Sequence, residues 1–335
     1  MNTSTRPVGA PTRPGLLGLK RFVLRRGPLL VFALLLIYLA ANSAAVLTAN
    51  NFWSSIVQAA PIAIIACGLA VVVMGGGDDA ISGGIDLSIP GAAAMATVVL
   101  SLQLSEPGAP FWPAFLLALL AALLVGVVNA LLVGYVGLSP ILATLATYVS
   151  VVGITRVFSQ NRRINVSHET IVALRDGKLL GVPTTVLLAV VVVVLLWFVM
   201  HRTSYGARVQ AVGGSRDAAT SAGIRVRGLL ASTYLIAAST AAIAAVLLVA
   251  RGSGSSPGID ERLLVDMVLA TFIGAAFSAR NVVTVPGAML GAVLVSFMSN
   301  GLILNRVPNS WVDGVKGMLI LLVVAAAALQ NRERK

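Results

Sequence analysis

Between residues 83 and 91 the chain reads Gly-Gly-Ile-Asp-Leu-Ser-Ile-Pro-Gly, setting the carboxylate of Asp86 and the hydroxyl of Ser88 in surroundings that are almost all Ala, Val and Leu. Neither residue has a histidine close by in sequence, so no nucleophile and base pair can be drawn from this stretch. Two other roles are open. As caps, Asp86 or Ser88 would accept hydrogen bonds from the free N–H groups of a helix start, with Gly83 and Gly84 letting the backbone break from the preceding helix and Pro90 fitting the first turn. As lining of a solute path, the broken backbone and the carboxylate would meet hydroxyl groups of a passing molecule. The two roles are compatible. Either one requires that Asp86 face a cap, a neighbour or water, because a charge at the bilayer centre costs about 2.5–3.5 kcal/mol on insertion scales.

The remaining chemistry-bearing residues point away from catalysis. His168 and His201 have no metal-like spacing to a Cys or Asp, and Cys67 is the single cysteine, so neither a metal site nor an intramolecular disulfide is expected. A Gly-x-x-x-x-Gly-Lys-[Ser/Thr] loop is absent from the sequence: Gly177-Lys178 is followed by Leu179, and Lys316-Gly317 has the reverse order. Without a loop that cradles phosphate the chain cannot hydrolyse ATP, and no cofactor is expected in it. A faint internal echo adds two amides. Ser-Ile-Pro-Gly-Ala at 88–92 returns as Thr-Val-Pro-Gly-Ala at 284–288, and Asn-Ala-Leu-Leu at 129–132 as Asn-Gly-Leu-Ile at 300–303. Asn129 and Asn300 join Asp86 and Ser88 as candidate pathway residues, although no single spacing relates the two pairs and the two Asn are expected at opposite membrane faces.

The elements that must position these residues are helices in lipid. The 335 residues are 58% hydrophobic and 11% charged, far from the roughly one-quarter charged composition of a soluble domain. Runs such as 187–200 do not alternate, which excludes a β-barrel. Uncharged stretches between Arg26 and Asp78, Glu106 and Arg156, and several shorter pairs of charges predict an all-α polytopic bundle of about ten transmembrane helices, near 28–49, 56–76, 86–104, 110–136, 139–158, 181–201, 228–250, 263–280, 283–304 and 311–330. Residues 1–27 read as a disordered basic tail, 28–330 as the membrane domain with one inner loop at 202–227, and 331–335 as a second tail. The formal charge of +12 does not imply nucleic acid, because the cations sit in short segments between apolar runs. Fifteen of the 24 Lys and Arg fall on one side of a ten-span arrangement, which would place the N and C termini in the cytoplasm. A cleaved signal peptide is disfavoured, since losing the first span would separate the two basic ends.

At this point a family resemblance becomes specific. The motif at 83–88 is followed in order by Asn-Ala-Leu-Leu-Val-Gly-Tyr-Val-Gly-Leu-Ser-Pro (129–140), Tyr-Gly-Ala-Arg-Val-Gln-Ala-Val-Gly-Gly-Ser-Arg-Asp-Ala-Ala (205–219) and Pro-Gly-Ala-Met-Leu-Gly-Ala (286–292). The chain resembles the membrane-spanning permeases of bacterial ABC importers for simple sugars, the ribose/xylose-type permease family, over everything after the N-terminal tail. It departs from that pattern at 275–287, where a Gly-rich turn is common in the family. The resemblance implies a multi-pass protein of the bacterial inner membrane, working as a homo- or heterodimer of permeases with a separate ATPase subunit and an extracytoplasmic sugar-binding protein. It also implies that Gly213, Gly214, Asp217, Ala218, Ala219 and Gly223 form the ATPase-coupling loop, with Asp217 where Glu is usual. Physically, Ser215 or Asp217 would cap a short helix, alanines would keep it narrow, and Gly223 would end it. An ordinary polar loop remains the alternative. Arg162, Arg163, Glu169, Arg175, Asp176 and Lys178 would offer mixed charge to the binding protein, or simply be solvated. Rival readings are a permease of the same kind for amino acids or nucleosides, and an ion-coupled transporter, which would need mid-span carboxylates.

Overall fold

The computed structural model describes residues 14–77, 84–278 and 280–334. Helix α1 (Pro14–Asn42) begins inside the segment read as a tail, and is followed by α2 (Ala49–Gly76), α3 (Ile89–Leu104) and α4 (Phe111–Asn129). The last of these runs on as a π-helical stretch, Ala130–Val136. Then come α5 (Pro140–Ser159), α6 (Glu169–Asp176), α7 (Thr184–Arg202), α8 (Ser204–Gly214), α9 (Arg216–Ser221), α10 (Val226–Gly252), α11 (Ile259–Ala275), α12 (Val285–Leu304) and α13 (Asn309–Arg334). Among the described residues strands are limited to two-residue ladders: β1 (Ile164–Asn165) pairs antiparallel with β4 (Gly254–Ser255), and β2 (Lys178–Leu179) with β3 (Val182–Pro183).

The centre of the bundle is α2 against α10. Both are apolar on every face, the pattern of a helix enclosed by others. In the most apolar part of α2 83% of residues are buried, and in α10 78%, whereas α7 has 28% and α4 and α5 33% each, which leaves these three with one side free for lipid. Alanine at 237, 238, 241, 242, 244 and 245 of α10 lets neighbouring backbones approach closely, as membrane helices do where van der Waals packing replaces hydrophobic drive.

The expected number of spans is wrong. Among the described residues six helices are long and apolar enough to cross a membrane, α2, α4 with its π-helical extension, α5, α7, α10 and α12, where about ten were expected. An uncharged stretch sets only an upper bound on an apolar helix, and the shortfall arises in four places. The 86–104 stretch yields a helix of 16 residues, because the chain turns at 84–88 before α3 starts. The stretch from Asp266 is the latter part of α11, a helix of 17 residues that also carries Asp260, Glu261 and Arg262. The stretch from Lys316 belongs to α13, which carries Asp313 and Lys316 in its first turns. In the first expected span the described apolar portion is Leu29–Asn42. The all-α, polytopic character stands, and the placing of both termini in the cytoplasm, which depended on ten spans, loses its basis.

At one end of the bundle the segment 160–183 folds over the turn between α10 and α11. Arg163 donates to the Asn165 and Ser256 side chains and to the Gly252 carbonyl, and Arg175 donates to Ser253 Oγ at 2.7 Å while gripping Asp176 through two bonds of 2.8 Å. Two cations expected to face a partner therefore tie the loop to its own chain. The opposite end holds α8, α9 and the 84–88 turn.

Candidate functional site

Asp86 and Ser88 lie in the turn that leads into α3, each 2% exposed. Asp86 Oδ1 accepts from the Ser88 backbone N–H at 2.8 Å and from the Ser88 hydroxyl at 2.6 Å. Ser88 Oγ in turn accepts from Asn129 Nδ2 at 2.6 Å, and Asn129 Oδ1 lies 2.8 Å from the Thr147 hydroxyl. That hydroxyl is also 2.9 Å from the Ala143 carbonyl, so its single proton serves one acceptor or shares both. One turn away on α5, Thr144 Oγ1 accepts from Leu87 N–H at 3.1 Å and lies 2.8 Å from the Pro140 carbonyl. A carboxylate, two hydroxyls and an amide thus form one buried hydrogen-bonded chain, in which charge-assisted bonds contribute about 1.5–3 kcal/mol each.

Three elements converge to build this group. Asn129 is the last residue of α4 before the π-helical stretch, Thr144 and Thr147 sit one turn apart near the start of α5, and the 84–88 turn lies between them. Pro90 occupies the first turn of α3 as expected from its missing N–H. The Ser88 side chain makes no capping bond of its own; Asp86 holds the Ser88 N–H instead. At the echoed position Thr284 does cap, its hydroxyl accepting from Gly287 N–H at 3.2 Å. Gly83 lies outside the described residues. At Gly84 a Cβ would stand 2.7 Å from Gly76 Cα and 2.9 Å from the Val72 carbonyl, so only glycine lets the turn rest on the end of α2.

The α8–α9 segment leans on that same end of α2. A Cβ at Gly213 would collide with the Met74 carbonyl, so backbone meets backbone there. Gly214 is exposed. Helix α9 starts at Ser215, whose hydroxyl accepts from Ala218 N–H at 3.2 Å, and ends where Gly223 N–H bonds the Thr220 carbonyl at 2.9 Å. Ala219 is buried against Val212 and Leu230, which anchors α9, while Asp217 and Ala218 face outward. A continuous contact runs from the α9 surface through Gly213 and the end of α2 to Gly84 and Asp86.

Asn300 does not join this group. Its Nδ2 donates to Ser55 Oγ at 2.9 Å near the start of α2, and from Ser55 to Gly76 at the end where Asp86 lies the helix rises about 32 Å. His168 caps α6, accepting from Thr170 N–H at 3.2 Å, and among the described residues no three His, Cys, Asp or Glu gather as metal ligands. Sequence reasoning passed over Thr144 and Thr147, whose three-residue spacing puts both on one helix face. It also passed over Asp266 and Lys316. Each borders one of the shorter uncharged stretches, and they are partners, Lys316 Nζ lying 2.7 Å from Asp266 Oδ1 with both side chains buried.

Six long apolar helices among the described residues, two of them central and enclosed by their neighbours, with polar side chains gathered inside, define a multi-pass membrane permease. The chain belongs to the family described as branched-chain amino acid transport system / permease component, whose profile matches residues 51–324. It is 28% identical to the galactofuranose transporter permease protein of Escherichia coli (strain K12), covering 91% of this chain and 90% of that one. It is likewise 28% identical to the ribose import permease protein of the same strain, over 91% and 94% of the two chains. The autoinducer 2 import system permease protein of Enterobacter sp. (strain 638) matches at 28% over 80% and 81%.

Proposed function

We propose that the chain is the permease subunit of an ATP-binding-cassette importer and carries a monosaccharide or related polyol across the bacterial inner membrane by alternating access. The observation that carries this reading is the near full-length match to permeases named for ribose and galactofuranose. The chain has no phosphate-cradling loop, so work must come from a separate ATPase subunit. Asp217 and Ala218 on the exposed face of α9, with Ala219 as its anchor, would be the foothold for that subunit. Gly213 and Gly84 would pass a rigid-body push by way of α2 to the Asp86 group, which would line or gate the path. A binding protein outside the membrane and a second permease subunit complete the assembly.

The test is uptake of labelled D-ribose and D-galactose in cells expressing the chain with its partners, with and without the ATPase, alongside copurification of the ATPase from detergent. Accumulation should require the ATPase, and Asp217→Lys should abolish both uptake and copurification. Uphill transport by the purified chain alone in liposomes overturns the reading. Uptake of L-leucine in place of either sugar would transfer the cargo to the amino-acid class that the family description names.

A further inference from the structure

A second polar region lies at the end of the bundle away from α9. An open cavity of about 720 Å³ is lined by α2, α10, α11, α12, α13 and the turn between α10 and α11, within the range of small-molecule sites and ample for a monosaccharide. Its ionisable lining comprises three cations, Arg251, Arg262 and Lys316, and three carboxylates, Glu261, Asp266 and Asp313. Glu261 and Arg262 are exposed at its mouth, whereas Lys316 and Asp266 are 5% and 7% exposed in its wall. Among membrane helices, charges so placed mark a water-filled site or a path.

The balance of charge says what would fit. A net anion or cation gains no overall attraction from a lining whose formal charges sum to zero, since each favourable charge has an opposing one nearby. A zwitterion would have to pull Lys316 from Asp266, giving up a 2.7 Å contact. A neutral solute bearing several hydroxyls can leave the pair together. It would accept from the ammonium hydrogens that the pair leaves over, Lys316 Nζ being 3.9 Å from Asp313 Oδ1 and so beyond hydrogen-bond reach of it, and donate to unused carboxylate lone pairs. We propose that this cavity is a binding chamber for a neutral, polyhydroxylated solute, with the paired Lys316 and Asp266 as its recognition wall and Arg251 at its rim. The inference rests on the reading of the chain as a sugar permease and adds where the sugar is held.

The test uses the full chain in nanodiscs with Gln58→Cys, a wall residue of the cavity, and a membrane-impermeant methanethiosulfonate; the native Cys67 is fully buried and donates to the Val285 carbonyl. The added thiol should react, and D-ribose or D-galactose at about ten times its dissociation constant should slow the reaction about tenfold, with L-leucine inert. Arg251→Gln, and the paired change Asp266→Leu with Lys316→Met, which leaves no charge stranded, should each remove this protection and lower sugar uptake about tenfold, the effect of about 1.4 kcal/mol of lost binding, while the ATPase still copurifies. Sugar uptake by the wild type without protection of the thiol, or undiminished uptake by both variants, overturns the chamber and leaves the transport reading intact. Failure of either sugar to be taken up or to protect overturns both. Protection by L-leucine in place of sugar overturns the polyol assignment.

Discussion

Asp86 and Asp266 are both buried carboxylates, held in opposite ways. Asp86 is held by neutral donors, the hydroxyl and N–H of Ser88, with an amide and a threonine behind them and, among the described residues, no salt bridge to a cation. Asp266 is held by an ammonium at the wall of a large cavity. Neutral donors of fixed geometry make a rigid joint, suited to a turn wedged on α2. An ion pair beside open space keeps donors and acceptors free for exchange with a third party. In the proposed mechanism the same residue type therefore serves as a rigid joint at one end of the molecule and as a binding wall at the other.

Breaking each carboxylate's support separates the two. The largest effect is expected from Lys316→Met, which strands Asp266 and should lower stability by about 3–5 kcal/mol. Thermal unfolding in detergent measures it, and adding Asp266→Leu should recover most of the loss. An equal loss in the double variant would show that packing, rather than charge, sets the cost. Next, Gly213→Val forces a side chain into the Met74 carbonyl, with overpacking expected at about 1–3 kcal/mol. Solute moved per ATP hydrolysed should fall further than stability does. Asn129→Leu removes the donor to Ser88 Oγ and the acceptor for Thr147, at about 1–3 kcal/mol, and Thr147→Val at about 0.5–1.5 kcal/mol. Two variants of equal effect would mean that the Ser88 bond adds nothing. The smallest effect belongs to Asp176→Asn on the exposed α6. The Arg175 hydrogen bonds hold the Asp176 carboxyl below the usual carboxylate range. Its contribution is present above the ordinary value of about 3.9 and lost as pH falls through the lower folded value, so unfolding curves of wild type and variant should merge in acid and differ slightly at neutral pH.

Local chemistry was legible in the sequence where it acted over a few residues. Gly-Gly-Ile-Asp-Leu-Ser announced a turn into a helix, and Ser215 and Gly223 announced the bounds of α9. Asn129 emerged only through an echo of four residues, and the same echo supplied Asn300, which the fold carries to the far end of α2. Periodicity could not separate them, since nothing in a short apolar motif says which end of a bundle it reaches. The number of spans was misread for a related reason. Counting uncharged stretches treats each charge as a boundary with water, and Asp266 and Lys316 satisfy one another inside the protein. Their 50-residue separation hides that partnership from any local pattern.

The stretch Ala130–Val136 has a further consequence. Wound with one extra residue in each loop of hydrogen bonds, it is shorter along its axis than an α-helix of equal sequence, which would reach about 10 Å. It is stored length. Rewinding it would extend α4 with no new residue and carry the α4–α5 turn, and with it the threonines of α5, past a stationary Asn129.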